Sequence, residues 1–185
     1  MPPDTAPIRQ QPSPWPLGVN VRRVLWSFVQ ATVFRWSFHN WYGWRRWLLR
    51  CFGTRVGRNV RVRSSVRIEM PWNLQLGDGV VVGDGVVLYC LGQVSIGRRT
   101  TISQYAHLCA GTHDYTLRSF PLVTKPIVVG DEVWIATDAF IGPGVTVGDR
   151  SVVGARSTAL KDVRPDMVVG GNPAEVIKRR ELRDT

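Results

Sequence analysis

The sequence lacks an apolar run long enough to cross a membrane. In its N-terminal region the longest stretch without a charged residue, 24–34, has eleven residues, whereas a spanning helix needs about 20. The opening sixteen residues, MPPDTAPIRQQPSPWP, are rich in proline and lack the apolar core of a signal peptide. We therefore expect a protein that works in the cytoplasm.

Cysteine and histidine are also scarce. The three cysteines, Cys51, Cys90 and Cys109, are separated by 39 and 19 residues. This spacing forms neither a paired disulfide framework nor a CxxC metal clip. The cysteines are therefore predicted to be free thiols in a reducing compartment.

Acidic residues are nearly absent from residues 1–52, which contain one acid, Asp4, and seven arginines. The same segment holds six of the eight tryptophans. We predict a flexible proline-rich stretch over residues 1–18 and a basic aromatic helical segment over 19–53. Apolar spacing of three and four at Val21, Val24, Leu25 and Phe28 predicts the first helix. A second is predicted from about residue 41, with Gly53 as its stop.

Two roles stay open for residues 19–52. Indole beside arginine suits the surface of a membrane. Alternatively the helices cap the rest of the fold, in which case their Trp and Leu side chains should be buried and their arginines solvated. Nucleic acid is not expected as a partner, since no basic stripe accompanies a known binding module.

What is abundant is a six-residue repeat. An apolar residue opens each unit, and fourteen of the fifteen openers are Val, Ile or Leu. Units of six suit a short strand and a corner, with glycine expected where the chain turns. The openers are Val56, Val62, Ile68, Leu76, Val82, Leu88, Ile96, Ile102, Leu108, Val129, Ile135, Ile141, Val147, Val153 and Ala159.

The units also group in threes. The openers at 56, 76 and 96 are 20 residues apart, and those at 129 and 147 are 18 apart. Three sides per coil predict a triangular parallel solenoid in which each coil buries its inward residues on its neighbours. A sandwich of short strands would instead give hairpin loops of variable length.

These repeats resemble the hexapeptide-repeat acyltransferases. The segment IGPGVTVGDRSVVGARSTALKDVRPDMVVGGNPAEVIKRR is similar to the end of maltose/galactoside-type sugar O-acetyltransferases, and VQATVFRWSFHNWYGWRRWLLRCFGTRVGRNVRVRSSVRIEMPWNLQLGD resembles colanic acid biosynthesis acetyltransferases. The resemblance covers about residues 18–181. It implies an all-β fold, a left-handed parallel β-helix of about five coils over 54–170. A short C-terminal helix is expected to cap it, with residues 171–185 as cap and tail.

The one long interruption lies between Leu108 and Val129, which are 21 residues apart, thirteen more than the eight that separate Leu88 from Ile96 at the same corner one coil earlier. A long excursion from a stacked core lies at the surface, and we predict a functional loop over 110–127 with His113 at its base. In the resembling family such a loop reaches a neighbouring subunit of a trimer, and a His at its root is the general base. Neutral imidazole suits proton removal from a sugar hydroxyl. Asp114 is predicted to orient the ring, to orient a substrate hydroxyl or to fold the loop.

The resemblance also implies acetyl-CoA as co-substrate. Its thioester end would lie at Trp134 and Thr137, with the Thr137 N–H toward the oxyanion. The pantetheine groove and the phosphate contacts are expected at Ala155, Leu160, Lys161, Lys178 and Arg179. Gly85 and Leu91 stand near the positions where maltose/galactoside enzymes carry acceptor-binding carboxylate and amide groups, so the acceptor pocket must differ.

No metal is expected. The γ-class carbonic anhydrases build a Zn site on a similar solenoid from three His, but here only His107 and His113 fall within the repeats. The resemblance, with no apparent signal peptide or membrane-spanning segment, implies a cytoplasmic, homotrimeric, acetyl-CoA-dependent O-acetyltransferase acting on a free or lipid-linked sugar in exopolysaccharide biosynthesis. A non-catalytic solenoid scaffold and an acetyltransferase for a different small acceptor are the alternatives.

Overall fold

The computed structural model describes residues 14–182. Residues 1–13 of the predicted flexible segment and 183–185 of the predicted tail lie outside this range. Two helices open the described chain, α1 (Leu17–Val29), extended by a π-helical turn over Gln30–Phe34, and α2 (Tyr42–Cys51). No described helix has the length and apolar character needed to cross a membrane.

The rest is a three-sided parallel β-solenoid whose faces we call A, B and C. In each coil the chain runs from A to B to C. Face A contains β1 (Arg55–Val56), β4 (Leu74–Leu76), β7 (Val94–Ile96), β12 (Ile127–Val129) and β15 (Thr146–Val147). Face B contains β2 (Arg61–Val62), β5 (Val81–Val82), β8 (Thr101–Ile102), β13 (Trp134–Ile135), β16 (Val152–Val153), β18 (Met167–Gly170) and β19 (Glu175–Arg179). Face C contains β3 (Arg67–Ile68), β6 (Val87–Tyr89), β9 (His107–Cys109), β14 (Phe140–Ile141) and β17 (Thr158–Ala159).

The predicted solenoid is confirmed, with about six turns rather than five. Five coils have all three faces, and a sixth is begun by a bridge from Val163 to Val147 and by β18 on face B. The predicted openers stack in register along the axis, as in the fully buried column Val62, Val82, Ile102, Ile135 and Val153. Each such side chain removed from water stabilises the fold by about 1.5–3 kcal/mol.

The glycines that follow many openers serve close packing and not turning. At Gly77 a Cβ would come within 2.8 Å of the Arg98 backbone nitrogen in the next coil, so only glycine fits. The left-handed backbone at the corners is taken instead by residues such as Asn59, Tyr105 and Asp138, each with a φ between 55° and 63°. The expectation that these glycines mark the turns is therefore wrong at Gly77.

The first coil leaves an open edge of backbone groups, and side chains of the helices cover it. Arg45, Arg46 and Arg50 of α2 donate to the carbonyls of Val62, Val60 and Val56 at 2.6, 3.0 and 2.8 Å. On face C the indole of Trp26 donates to Ile68 O at 2.6 Å, and Gln30 accepts from Ile68 N at 2.7 Å. The helices thus cap an edge that would otherwise invite pairing with another chain.

This cap follows the predicted distribution of side chains only in part. Trp26, Leu48 and Leu49 are buried, as expected of a cap, but Arg45 is also fully buried, whereas Val21, Val24, Leu25 and Phe28 of α1 are exposed. The expectation that a cap would bury the Trp and Leu side chains and leave the arginines solvated is therefore wrong for Arg45 and for Leu25. Arginine is used because its five N–H donors can reach several carbonyls from one helix face.

The predicted C-terminal capping helix is also wrong. After a turn at Asn172-Pro173, β19 pairs antiparallel with β18 and extends face B. The open edge of the last coil offers backbone hydrogen bonds that a helix would leave unmade, and a strand rich in β-branched residues satisfies them.

Candidate active site

The excursion from the repeat is a β-hairpin at the corner between faces C and A. Its strands are β10 (Gly111–His113) and β11 (Leu122–Thr124), and His113 pairs with Leu122. The root is closed by a hydrogen bond from Lys125 N to Ala110 O at 3.1 Å. A rigid coil therefore fixes the backbone from which His113 projects.

Phe120 orients the His113 ring. His113 Nδ1 lies 2.9 Å from Phe120 O, and the two rings stack with centroids 4.4 Å apart. A carbonyl oxygen can only accept, so the neutral imidazole carries its proton on Nδ1. The lone pair of the exposed ring is then on Nε2, free to take a proton from a substrate.

Asp114 folds the hairpin tip. Its Oδ1 accepts from the backbone N–H and the hydroxyl of Thr116 at 2.9 and 2.6 Å. These two hydrogen bonds lower the pKa of the Asp114 carboxyl. Of the three roles left open by the sequence, these contacts belong to loop folding.

Trp134, Thr137 and Ala155 lie together around the corner between faces B and C. The Trp134 indole donates to Ser103 Oγ at 2.9 Å, which fixes a half-exposed ring. The N–H groups of Ala136 and Asp138 donate to carbonyls of neighbouring coils, whereas the N–H of Thr137 between them donates to no other described group. Thr137 thus offers an N–H at the surface, as an oxyanion donor must.

The remaining predicted cofactor residues fall at two other places. Leu160 and Lys161 are exposed at the corner between faces C and A, two coils beyond the hairpin. Lys178 and Arg179 are exposed on β19, where they line a basic groove of about 470 Å³. Arg180 is less available, since it donates to Glu132 O and Arg150 O.

Apart from Lys178 and Arg179 on β19, these residues form two groups on opposite edges of face C. His113, Asp114, Leu160 and Lys161 belong to one edge, and Trp134, Thr137 and Ala155 to the other. Ala155 precedes β17 (Thr158–Ala159) at a corner where Arg156 has left-handed backbone, and Leu160 follows the strand at the next corner. Within the described chain His113 shares no hydrogen bond or ring contact with Trp134 or Thr137. In one chain, therefore, the candidate base and the candidate oxyanion donor lie at different corners of the solenoid.

A polar pocket of about 280 Å³, which the sequence did not reveal, lies between α1 and the first coil. It is lined by Asn20, Arg23, Ser27, Gln30 and Glu69 over a floor that includes Trp26 and Ile68. Arg23 Nη2 pairs with Glu69 at 2.6 Å, and Arg23 Nε is buried with no partner among the described residues. The backbone N–H of Glu69 donates to Leu88 O at 3.1 Å, beside Tyr89, and the register pairs Tyr89 with Cys109 at the foot of the hairpin. Arg23 and Glu69 of this pocket lie 46 residues apart in sequence, and no motif links them.

His107 is packed and not poised for catalysis. Its ring meets Tyr89 and Phe140 edge-on, and burial lowers the pKa of the imidazole. Among residues 14–182 no group of three His, Cys, Asp or Glu side chains could hold a metal ion.

Comparison with known proteins places these features in a family. Residues 126–159 match the family model described as bacterial transferase hexapeptide (six repeats). WcaF of Escherichia coli strain K12, an acetyltransferase attributed to colanic acid biosynthesis, is 49% identical over 163 residues, which cover 88% of this chain and 90% of WcaF.

Solved structures agree at the level of the whole fold. A maltose O-acetyltransferase from Clostridium difficile 630 has a TM-score of 0.82 and 27% identity, over 90% of each chain. A hexapeptide-repeat acetyltransferase from Vibrio cholerae, solved with acetyl-CoA, has a TM-score of 0.81 and 27% identity, over 89% of this chain and 90% of that one.

Proposed function

Because the chain belongs to the hexapeptide-repeat acetyltransferase family, we propose that it moves the acetyl group of acetyl-CoA to a sugar hydroxyl in exopolysaccharide biosynthesis. The relatives support each part of this proposal. One is attributed to colanic acid biosynthesis, and another of the same fold is solved with acetyl-CoA. The observation that carries it is the imidazole of His113, whose Nδ1–H is held by Phe120 O and whose Nε2 is left as a base.

The reaction requires one proton transfer and one acyl transfer. Nε2 of His113 takes the proton of the acceptor hydroxyl as its oxygen attacks the thioester carbonyl carbon. The resulting oxyanion is stabilised by the Thr137 N–H. When the C–S bond breaks, the His113 imidazolium returns its proton to the CoA sulfur. The sugar ester and CoA are then the products.

A homotrimer would join the two halves of this site. The hairpin of one protomer, carrying His113, would meet the corner of a neighbour that carries Trp134, Thr137 and Ala155. Cyclic symmetry repeats this contact and closes it after three copies. The separation of the two groups across face C supports this arrangement, since neither edge is complete in one chain.

The pocket between α1 and the first coil is our candidate for the acceptor. Arg23, Glu69, Asn20 and Gln30 offer donors and acceptors for sugar hydroxyls, and the Trp26 indole supplies an apolar wall. Glu69, Tyr89 and Cys109 follow one another on successive coils at the end of face C, between this pocket and the His113 hairpin. We assign the reaction to the cytoplasm, at the membrane surface, where Cys51, Cys90 and Cys109 would remain the free thiols seen in the fold.

The test measures acetyl-CoA binding and CoA release. Calorimetry gives the affinity for acetyl-CoA, and a thiol assay follows CoA release with a panel of glycosides. Binding together with glycoside-dependent release supports the proposal. A folded protein that neither binds acetyl-CoA nor releases CoA would be a scaffold, and release driven by a non-sugar acceptor would replace the sugar assignment.

A further inference from the structure

Helix α1 carries an apolar stripe that faces away from the solenoid. Leu17, Val21, Val24, Leu25 and Phe28 recur at helical spacing, and all are exposed, Val24 and Phe28 to about 70%. Trp26, on the opposite side of the helix, is buried on the first coil and hydrogen-bonded to it. We call these five residues the outer stripe. A stripe this apolar on a surface helix requires a partner.

The apolar surface continues at the junction of the two helices. Val33, Trp36, Trp41 and Trp44 line an open groove of about 390 Å³. The Trp44 indole donates to Val33 O at 3.1 Å and stacks on Trp47, with centroids 5.1 Å apart. We call this the tryptophan groove. Its indole rings are amphipathic, a property typical of the boundary between water and lipid.

The charge around this surface has one sign. Residues 14–68 contain eleven arginines and no Asp or Glu, a net charge of +11, whereas residues 69–185 contain twelve Lys or Arg and thirteen acids, a net charge of −1. Three of those acids, Glu69, Asp78 and Asp84, pair with Arg23, Arg58 and Arg63. The capped end of the solenoid therefore carries nearly all of the positive potential of the protein.

We propose that this end docks on an anionic phospholipid bilayer. The outer stripe and the tryptophan groove enter the headgroup boundary, and the surrounding arginines attract acidic headgroups. A second copy is the less suitable occupant, because pairing two such faces would bring +11 against +11. If the trimer of the proposed function forms, its symmetry turns three of these ends to one side, and the contact gains avidity.

The test is partitioning onto vesicles, which needs neither acetyl-CoA nor an acceptor. Wild-type protein is floated with vesicles of phosphatidylcholine alone or with about one-third phosphatidylglycerol, at low and high salt. We expect binding to the anionic vesicles that weakens as salt screens the charges. The variant Val24→Ser/Leu25→Ser/Phe28→Ser should bind roughly a hundredfold more weakly. Arg35→Gln, an exposed arginine outside the cap contacts, should weaken binding about fivefold.

Val176→Ser/Ile177→Ser is the matched control. It removes two exposed apolar side chains from β19, at the other end of the solenoid, and should leave partitioning unchanged. Wild-type protein that stays unbound on anionic vesicles would overturn the proposal. A triple variant that keeps its vesicle affinity would also overturn it. So would a triple variant that loses vesicle affinity together with melting temperature or oligomer mass, since the outer stripe would then be covered by protein. If the protein floats with anionic vesicles but shows no acetyltransferase activity, the bilayer proposal stands and the proposed function fails.

Discussion

Nδ1 of His113 lies 2.9 Å from the carbonyl oxygen of Phe120, across a hairpin whose strands pair His113 with Leu122. This contact sets the tautomer of the imidazole from the main chain. An aspartate is often expected beside a catalytic His, but here the neighbouring Asp114 accepts from Thr116. The tautomer that the proposed base requires is therefore set by the hairpin itself.

Replacing His113 with Ala should lower kcat by roughly 10²–10⁴, the range for losing a general base. Affinity for acetyl-CoA should change little, because no predicted cofactor contact depends on this ring. Steady-state assays and calorimetry measure the two quantities. Asp114→Asn, which keeps an acceptor for the Thr116 groups, should retain most of the activity. A His113→Ala protein with near-normal kcat would remove the imidazole from the mechanism.

Two inactive variants should restore activity when they share a trimer. His113→Ala disables the hairpin edge, and Ala155→Trp blocks the opposite edge at an exposed position. Each mixed trimer would pair an intact hairpin with an intact corner at about one of its three sites. The check is CoA release by co-expressed, doubly tagged protein, with each variant alone as the control. No recovery in verified mixed trimers would mean that each chain builds its own site.

Arg45→Met should destabilise the protein by about 3 kcal/mol or more. The fully buried guanidinium donates to Val62 O, Ser37 Oγ, Phe38 O and His39 O. Removing it leaves two buried acceptors, Val62 O and Ser37 Oγ, and two part-buried ones without this donor, and a buried acceptor left unsatisfied costs about 1–3 kcal/mol. Urea unfolding at a fixed protein concentration gives the difference. The exposed Arg35→Met is the control, and equal losses in the two variants would contradict a capping role for Arg45.

The solenoid and the hairpin root could be predicted because both are encoded in local spacing. Openers six residues apart define the coils, and the break after Leu108 marks where the chain leaves them. The role of Phe120 has no such signal, since it uses a carbonyl that every residue has. The C-terminal hairpin and the arginine cap were missed for a related reason. Both satisfy unpaired backbone groups at the two ends of the solenoid, and these open edges exist only after the coils have stacked.

Charge at Glu69 should decide how well the acceptor binds. Glu69→Gln keeps the shape of the pocket between α1 and the first coil but replaces a charged acceptor of hydroxyl hydrogen bonds with a neutral amide. Hydrogen bonds to charged groups are the stronger kind. We therefore expect the KM for the active glycoside to rise about tenfold, or about 1.4 kcal/mol. The KM for acetyl-CoA should remain unchanged, since its predicted contacts lie elsewhere.

Asp78→Asn is the matched control, because Asp78 also pairs with an arginine but lies on the surface away from this pocket. If Glu69→Gln lowered stability and raised both KM values, the Arg23–Glu69 pair would have a structural role. The acceptor would then have to bind at another surface.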